Sequence, residues 1–334
     1  MNLTPPVMAE RPLGASGISA SVVGLGTWAI GGWMWGGTDE AAAVAAIHAS
    51  IDAGVSLVDT APAYGMGRSE EIVGRALVGR RDRVILATKC GLVWHTQKGN
   101  HFFDQAGKPV HRHLGRESIF HELDESLRRL NTDYIDIYIT HWQDPTTPIA
   151  ETMAALEDLK AAGKIRAIGA SNVSPADVSA YVGAGTLDAI QEQYSMVHRD
   201  IEADLVPLCA RHGVSILSYS SLALGLLTGK IGPERKFEGD DLRIADPRYS
   251  VENRQKVADF VTAVRPIADG HNATIAQLVI AWTLRQPGIT FALCGARNPQ
   301  QAEENARAGS IRLGDGEIAE LNAAAARYLS DVHV

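Results

Sequence analysis

The sequence predicts an α/β fold, a (β/α)8 TIM barrel formed by one domain over residues 1–334, with an amino-terminal β-hairpin that plugs the bottom. Two observations lead to this prediction. Short apolar runs of strand length recur eight times along the chain, and amphipathic helical patterns lie between them. No low-complexity linker and no Pro/Gly/Ser-rich segment divides the chain into two halves.

The hairpin is expected near the amino terminus. There, the segment RPLGASGISASVVGLG alternates short apolar runs with Gly-Ala-Ser-Gly, which is typical of a tight turn between two strands. Beyond it, the eight barrel strands are predicted at residues 22–26, 55–60, 84–89, 134–140, 165–170, 188–193, 214–219 and 289–294.

Helix boundaries follow from apolar spacing and from capping residues. The apolar positions between residues 119 and 130 recur at helical spacing and would bury one face. Ser174-Pro175 and Asn298-Pro299 each place an N-cap residue before a proline at the first helical position. Similar patterns predict further helices at 44–51, 69–78, 153–159, 201–212, 251–286 with a break near residue 270, and 316–328.

One glycine motif supports a different fold. The residues GLGTWA, with Gly24, Gly26 and Ala29, formally match the dinucleotide-binding fingerprint G-x-G-x-x-A. That fingerprint requires a helix to begin within the motif, whereas this sequence continues as IGGWMWGG, which cannot form one. A Rossmann domain is therefore the weaker alternative.

Composition limits the partners that the protein can bind. A formal net charge of −8, a pI near 5.8 and the lack of any Lys or Arg run argue against a nucleic-acid surface. No segment approaches the roughly 20 consecutive apolar residues that span a membrane, and the amino terminus lacks the apolar core of a signal peptide. The cysteines, Cys90, Cys209 and Cys294, are odd in number and far apart, as is typical of reduced thiols. We therefore expect a cytoplasmic protein with a small-molecule substrate, no membrane and no nucleic-acid partner, and an oligomeric state that the sequence leaves open.

The carboxyl ends of barrel strands carry the chemistry of such folds, so the residues there are the first candidates for a site. Asp59 ends the second predicted strand, Tyr64 follows in the next turn, Lys89 ends the third strand, and His141 follows the fourth. Lys89 is expected to be the cation that pairs with Asp59. Because an ammonium near a phenol favours the phenolate, we expect a lowered pKa for Tyr64 and a role as general acid or base. His141 would hydrogen-bond the oxygen of a bound carbonyl.

Each of these residues also has a structural interpretation. Asp59 could cap its turn, and Tyr64 could pack with its hydroxyl in water. Lys89 could only neutralise Asp59, and His141 could be a core histidine. A class I aldolase is a further alternative, because a lysine at a barrel strand end can form a Schiff base. That lysine must be neutral to attack, whereas Asp59 would keep it charged. The convergence of four polar side chains at one end of the barrel favours catalysis.

Motifs along essentially the whole chain carry a resemblance to a known family. In order, they are DTAPAYG, ATKCG, HW, GKIRAIGASN, QEQYS, SYSSLALGLLTGK and GARNPQQAEEN. In these motifs the chain resembles the aldo-keto reductases, in particular the bacterial branch that contains inositol-locus and general-stress reductases and glycerol dehydrogenases. The resemblance implies an NADP(H)-dependent alcohol dehydrogenase or carbonyl reductase, with Asp59, Tyr64, Lys89 and His141 as catalytic residues and no metal.

The resemblance also implies a set of cofactor-binding residues. Ser171, Asn172 and Gln193 would hold the nicotinamide carboxamide, and Tyr219 would stack on the ring. The other predicted contacts, most of them towards the pyrophosphate and adenosine, are Thr27, Trp28, Ser220, Leu222, Gly225, Lys230, Gly295, Arg297, Gln301, Glu304 and Asn305.

Arg297 is the basis for expecting NADP(H) rather than NAD(H). It immediately precedes the helix start at Asn298, where free backbone N–H groups favour an anion, and a planar guanidinium suits a 2′-phosphate. The lysine-serine pair that many of these reductases use for the 2′-phosphate is replaced here by Gly295-Ala296. The expected preference for NADP(H) therefore depends on Arg297, which could also be a solvated charge.

Two long connections are expected at the rim of the barrel. Residues 91–115 contain four histidines without regular spacing in a Gly/Pro/Lys background, which favours an exposed rim loop over a metal site. Residues 231–250 are charged and interrupted by prolines, which is typical of a flap that closes over a bound cofactor.

Tryptophans are concentrated at the predicted mouth of the barrel. Five of the six follow strand ends: Trp28, Trp33, Trp35, Trp94 and Trp142. All of these except Trp35 are assigned to the substrate pocket. Indoles favour small neutral molecules with CH and OH faces, and no arginine stands among them to bind a carboxylate. The predicted substrate is a hydroxyaldehyde, sugar or polyol, such as glyceraldehyde or glycerol; the alternatives are a broad-specificity carbonyl reductase and a non-catalytic cofactor-binding protein like the subunits of potassium channels.

Overall fold

Eight parallel strands form a closed barrel in the computed structural model, which describes residues 8–332. Each strand pairs with the next in chain order, and β8 pairs with β1 to close the barrel. This confirms the predicted (β/α)8 fold. The strands are β1 (Val23–Gly26), β2 (Leu57–Asp59), β3 (Ile85–Cys90), β4 (Ile135–Thr140), β5 (Ile165–Ser171), β6 (Ala189–Gln193), β7 (Ser215–Tyr219) and β8 (Ile289–Gly295).

The amino-terminal hairpin lies at the bottom of the barrel, as predicted. Its strands, Glu10–Pro12 and Ser19–Ser21, pair antiparallel. Leu13 and Ile18, at 0% and 3% exposure, belong to the apolar cluster that fills the barrel interior. The backbone N–H of Gly14 donates to Ser215 Oγ at 2.9 Å, and Ser215 is the first residue of β7, so the hairpin covers the amino ends of the strands.

Ten α-helices surround the strands within the described residues. The predicted caps are present, because the side chains of Ser174 and Asn298 accept from backbone N–H groups three residues later. The expected break near residue 270 is also present, since one helix ends at Gly270 and the next is capped by Thr274. The helices are α1 (Glu40–Asp52), α2 (Arg68–Ala76), α3 (Arg116–Leu130), α4 (Ile149–Ala161), α5 (Pro175–Ala184), α6 (Leu205–His212), α7 (Val251–Gly270), α8 (Ile275–Arg285), α9 (Pro299–Ala308) and α10 (Asp315–Tyr328).

Residues 91–115 differ from the exposed loop that the sequence predicts. They form a small antiparallel sheet from Leu92–Val93, Asn100–Gln105 and Lys108–Arg112. The two-residue turn at Ala106 and Gly107 has positive φ at both positions, 50° and 73°, which is the geometry of a tight hairpin turn. Leu92 and Val110 pack against the barrel rim. In the sequence these two apolar residues stand among polar neighbours, so the segment does not show a clear strand pattern.

The segment 231–250 contains two short 3-10 turns, Leu242–Ile244 and Pro247–Tyr249. The hydroxyl of Tyr249 donates to the carbonyl of Ala223 at 2.7 Å and fixes the end of the segment against the barrel. Among residues 8–332, none of the helices combines the length and the apolar character that crossing a membrane requires.

Candidate active site

The carboxyl ends of β2 and β3 hold a buried ion pair. Lys89 is fully buried, and its Nζ donates to Asp59 Oδ1 and Oδ2 at 2.8 and 2.9 Å and to the carbonyl of Thr60 at 2.9 Å. Asp59, at 3% exposure, accepts a further bond from Gln191 Nε2 at 2.8 Å. Each buried charge therefore has an oppositely charged partner, and this attraction offsets the cost of removing the ion from water.

Tyr64 and His141 complete a cluster with this pair. The ammonium of Lys89 lies 4.9 Å from the centre of the Tyr64 ring, and the Tyr64 and His141 rings meet edge to face with centres 5.7 Å apart. A Cβ at Gly31 would lie 2.7 Å from the carbonyl of Tyr64, so only glycine lets the chain approach this turn so closely. We call Asp59, Tyr64, Lys89 and His141 the strand-end cluster.

Burial sets the protonation of this cluster. Burial, with a smaller contribution from Asp59, raises the pKa of Tyr64 well above its usual value, so the predicted lowering is wrong. Lys89 does not offset this rise, because its three N–H donors are used by the two Asp59 oxygens and the Thr60 carbonyl and none is left for the phenol oxygen. Burial also lowers the pKa of Lys89, against the effect of Asp59. Burial and Lys89 together hold the pKa of His141 well below its usual value, so its imidazole is neutral.

Residues in the first turn of α2 support the strand-end cluster through buried hydrogen bonds. Glu70, fully buried, accepts from the Thr88 hydroxyl and from Arg129 Nε, both at 2.6 Å. The Ser69 hydroxyl lies 2.8 Å from Thr27 Oγ1. Sequence reasoning missed Ser69 and Glu70, because charged and hydroxyl residues at a helix start usually face solvent.

Thr27 bonds the backbone at the end of β2. Its hydroxyl donates to the carbonyl of Asp59 at 2.9 Å, and it is absent from the cavity lining. In this position Thr27 supports the end of β2.

A cavity of about 890 Å³ opens above the strand-end cluster. Ser171, Asn172 and Tyr219, predicted for the nicotinamide, all line it. They are tied together, because Asn172 Nδ2 donates to the His141 carbonyl at 2.9 Å and the Tyr219 hydroxyl donates to Asn172 Oδ1 at 2.8 Å. Donors and acceptors at this end of the cavity therefore have fixed directions.

Gln191, and not Gln193, is the glutamine of β6 that lines the cavity. Both belong to the same strand, but Gln191 stands opposite Ser171 in the register between β5 and β6. Gln193 lies two residues further along and outside the lining. Because residues two apart on a strand lie on the same face, alternation in the sequence could not choose between them, and only the pairing of β6 with β5 does.

Most of the residues predicted for the rest of the cofactor line the same cavity. The predicted residues that line it are Trp28, Ser220, Leu222, Gly225, Gly295, Arg297 and Gln301. Lys230, Glu304 and Asn305 do not line it. Lys230 Nζ instead pairs with Glu304 at 2.6 Å, and Asn305 Nδ2 donates to the Gly295 carbonyl at 3.0 Å.

Two further arginines, Arg235 and Arg243, line the cavity and were not predicted. Arg243 lies over the Trp35 ring, 5.4 Å from its centre, so one arginine does stand beside the rim tryptophans. Its fork is occupied, however, because Nε and Nη2 donate to the two carboxylate oxygens of Asp241 at 2.8 and 2.6 Å.

Aromatic side chains form the outer wall of the cavity. Trp28, Trp33 and Trp142 line it as predicted, together with Trp35, whereas Trp94 does not. The hairpin within residues 91–115 adds two residues that sequence reasoning missed. Phe103 stacks on Trp33 with ring centres 5.5 Å apart, and Phe102 lies 5.2 Å from Trp142. We call Trp33, Trp35, Phe102 and Phe103 the loop wall.

The arrangement can bind a long polar molecule and move a proton at one end of it. Three arginines and glycines 225 and 295 line the cavity, and guanidinium groups can bind the phosphates of a dinucleotide. Amide and hydroxyl groups of Ser171, Asn172 and Gln191 line it as well, together with a protonated phenol and a neutral imidazole. Among residues 8–332, no three His, Cys, Asp or Glu side chains converge as metal ligands do.

Known proteins resemble this chain over most of its length. The model of the Aldo/keto reductase family matches residues 22–326. Aldo-keto reductase YhdN of Bacillus subtilis (strain 168) is 43% identical, over 97% of this chain and 96% of its own. The NADH-specific methylglyoxal reductase of Escherichia coli (strain K12) is 42% identical, over 93% of this chain and 96% of its own.

Solved structures also resemble this chain over nearly its whole length. A glycerol dehydrogenase from Gluconobacter oxydans superposes with a TM-score of 0.86 at 36% identity, covering 98% of each chain. An aldo/keto reductase from Klebsiella pneumoniae, solved in complex with NADP and acetate, superposes with a TM-score of 0.71 at 30% identity, covering 98% of this chain and 96% of its own.

Proposed function

This chain belongs to the aldo/keto reductase family, and from that premise we propose that it interconverts a small hydroxyaldehyde, sugar or polyol with NADP(H), as between glyceraldehyde and glycerol. The observation that carries the proposal is the position of Tyr64. Its phenol lies beside the Lys89–Asp59 pair at the base of a cavity with aromatic walls. We assign Tyr64 as the general acid in reduction and the general base in oxidation.

The residues of the strand-end cluster would divide the work of proton transfer. With its pKa raised, Tyr64 is protonated at neutral pH and can deliver its proton to an oxygen that becomes an alkoxide. The neutral His141 can donate an N–H bond to the same oxygen and orient it. Lys89, held by Asp59, places a positive charge near the phenol and stabilises the phenolate that remains.

The donors around the cavity fit a nicotinamide cofactor, which supplies or accepts the hydride when bound. Ser171, Asn172 and Gln191 would hold its carboxamide, with Tyr219 against the ring. Gln191 takes this role in place of Gln193 because it lines the cavity. Each of the three polar residues is fixed by a hydrogen bond of its own, which keeps the site organised before binding.

Two observations bear on the choice between NADP(H) and NAD(H). Arg297 lines the cavity next to the start of α9, where a 2′-phosphate would meet a guanidinium and free N–H groups. The Klebsiella structure contains NADP, whereas the E. coli relative is named as NADH-specific. We propose NADP(H) as the preferred cofactor on the strength of Arg297.

The loop wall supports a small, neutral substrate. Stacked rings of Trp33 and Phe103 present flat apolar faces. The arginine that lies over Trp35, Arg243, already has its fork occupied by Asp241 and is not available to a carboxylate. The solved glycerol dehydrogenase agrees with a polyol. A second candidate is the reduction of 2-oxoaldehydes, which the name of the E. coli relative favours.

Steady-state turnover with a matched panel tests the proposal. We expect a higher kcat/KM for glyceraldehyde than for propanal with NADPH, and a lower value for both with NADH. Methylglyoxal is included as the substrate of the second candidate. Equal values for glyceraldehyde and propanal would favour a broad-specificity carbonyl reductase, and a clear preference for methylglyoxal would replace the polyol. NADPH binding without turnover of any carbonyl would favour the non-catalytic alternative.

A further inference from the structure

We call residues 33–37 the tryptophan loop. Its backbone N–H groups are hydrogen-bonded by Asp240, a residue far away in the sequence. The N–H groups of Met34 and Gly36 donate to the two carboxylate oxygens of Asp240, at 3.1 and 2.9 Å. The backbone N–H of Leu242 donates to the Met34 carbonyl at 3.2 Å. The segment 231–250 therefore holds one side of the tryptophan loop.

Arg297 holds the other side. Its Nη1 donates to the Trp35 carbonyl at 3.0 Å, and its Nη2 donates to the Gly37 carbonyl at 2.7 Å. The partners are separated by 262 and 260 positions in the sequence. A guanidinium carries five N–H groups, so Arg297 keeps donors for a ligand in the cavity while it holds the loop.

The tryptophan loop needs such external bonds. Met34 adopts φ 65°, in the left-handed region where a side chain crowds the backbone. Met34 therefore stays in this conformation only while surrounding contacts favour it. Asp240 bonds the N–H of Met34 itself, so it acts at the strained position.

The side chains of the tryptophan loop belong to the substrate end of the cavity. Trp33 stacks on Phe103, and Trp35 meets Trp28 edge to face with ring centres 5.4 Å apart. Arg297 lines the same cavity beside Gln301, whose Oε1 accepts from the Arg297 backbone N–H at 2.9 Å. One short segment thus connects Arg297 to the aromatic wall.

We propose that Asp240 and Arg297 are positioning residues that hold the tryptophan loop, and that Arg297 thereby couples occupancy of the adenosine end to binding of the carbonyl substrate. The inference rests on the proposed function for the identity of the two ligands. A cofactor phosphate bound to the free N–H donors of Arg297 would hold the guanidinium in one position. The guanidinium would in turn hold the backbone carbonyls of Trp35 and Gly37, to which it donates. By linkage, substrate in the aromatic wall then tightens cofactor binding by the same factor.

Asp240 is the more informative residue to change, because it lines no part of the cavity. We expect Asp240→Ala to raise the KM for glyceraldehyde about five- to tenfold at saturating NADPH, through lost charged hydrogen bonds, with kcat retained. Asp240→Asn keeps one acceptor and should give an intermediate KM. Glu238→Gln is the matched control, since Glu238 is an exposed carboxylate of the same segment, and it should match wild type.

Arg297→Ala separates the two roles of the arginine. If Arg297 positions the loop, this variant raises the KM for glyceraldehyde even at saturating NADPH. A variant that weakens NADPH binding but leaves that KM unchanged would make Arg297 a phosphate ligand only, and would overturn the coupling.

Acrylamide quenching of tryptophan fluorescence tests the inference without turnover. In the cofactor-free protein, quenching should increase in Asp240→Ala and Arg297→Ala and remain unchanged in Glu238→Gln. Added NADPH should protect wild type more than Asp240→Ala. If no carbonyl is turned over but these changes occur, the proposed function fails and the positioning role stands. If Asp240→Ala behaves as Glu238→Gln in both KM and quenching, the inference is wrong.

Discussion

The strand-end cluster and the loop wall face the same cavity but are built in opposite ways. Asp59 and Lys89 are at most 3% exposed and belong to barrel strands that are hydrogen-bonded on both sides. The loop wall comes from two connections, and its side chains are half-buried or exposed. In the proposed function, the strands of the barrel therefore fix the groups for proton transfer, whereas loops that contact one another form the substrate wall.

The two regions also differ in how they tolerate change. A buried ion pair fails as a unit, since loss of one partner leaves a charge without compensation. A wall of stacked rings loses contacts one at a time, and each contact is worth little by itself. Mutations should therefore separate the regions by their effects on stability, kcat and KM.

The largest expected effect is in the strand-end cluster. Lys89→Met should abolish turnover and lower the free energy of unfolding by about 3–5 kcal/mol, because it leaves the Asp59 carboxylate buried without a cation. Urea unfolding and NADPH oxidation measure the two effects. The double variant Asp59→Asn/Lys89→Met should regain most of the stability but none of the activity. Normal turnover by Lys89→Met would contradict the proposed role of the ion pair.

A smaller effect is expected in the loop wall. Phe103→Ala removes the ring that stacks on Trp33 and should raise the KM for the aldehyde about two- to tenfold, the value of one aromatic pair. Both kcat and unfolding stability should stay near wild type. Val78→Ala, at an exposed site that is 69% accessible and outside the cavity, is the control. A fall in kcat with unchanged KM would mean that the loop wall takes part in the chemical step.

The smallest effect is the response of reduction to pH. The raised pKa of Tyr64 keeps the acid protonated as pH rises, and the lowered pKa of His141 keeps the imidazole neutral as pH falls. With NADPH, kcat/KM for reduction should therefore be nearly flat between about pH 6 and pH 9, the range that spans unperturbed histidine and approaches unperturbed tyrosine. A loss of activity with a midpoint near pH 6.5 would indicate that His141 ionises and would contradict its assignment.

The difference between the strand-end cluster and the loop wall also explains which parts of the site could be predicted from the sequence. Asp59, Lys89 and His141 follow apolar strands, and parallel strands bring their carboxyl ends together, so local patterns were enough to predict the cluster. The choice between Gln191 and Gln193 was not local, because it depends on the register with β5. The direction of the Tyr64 pKa also required the structure, since it depends on burial and on which acceptors Lys89 meets.

The loop wall was predicted less completely, for a physical reason. Trp33 and Trp142 stood out by their size, but Phe103 belongs to a hairpin whose few buried residues are hidden among polar ones. The bonds from Asp240 and Arg297 to the tryptophan loop join residues more than 200 positions apart. Hydrogen bonds from side chains to distant backbone groups produce no periodic pattern in the sequence. They can therefore be identified only from the folded structure.

Single-turnover reduction by Tyr64→Phe tests the assignment of the proton donor most directly. Enzyme saturated with NADPH is mixed with excess glyceraldehyde, and the loss of NADPH absorbance is followed in wild type and variant. We expect the rate to fall about 10²- to 10⁴-fold, the usual contribution of a general acid, with the Kd for NADPH unchanged. A variant that binds NADPH normally and reduces glyceraldehyde at the wild-type rate would show that Tyr64 is not the acid, and the proton would have to come from another group.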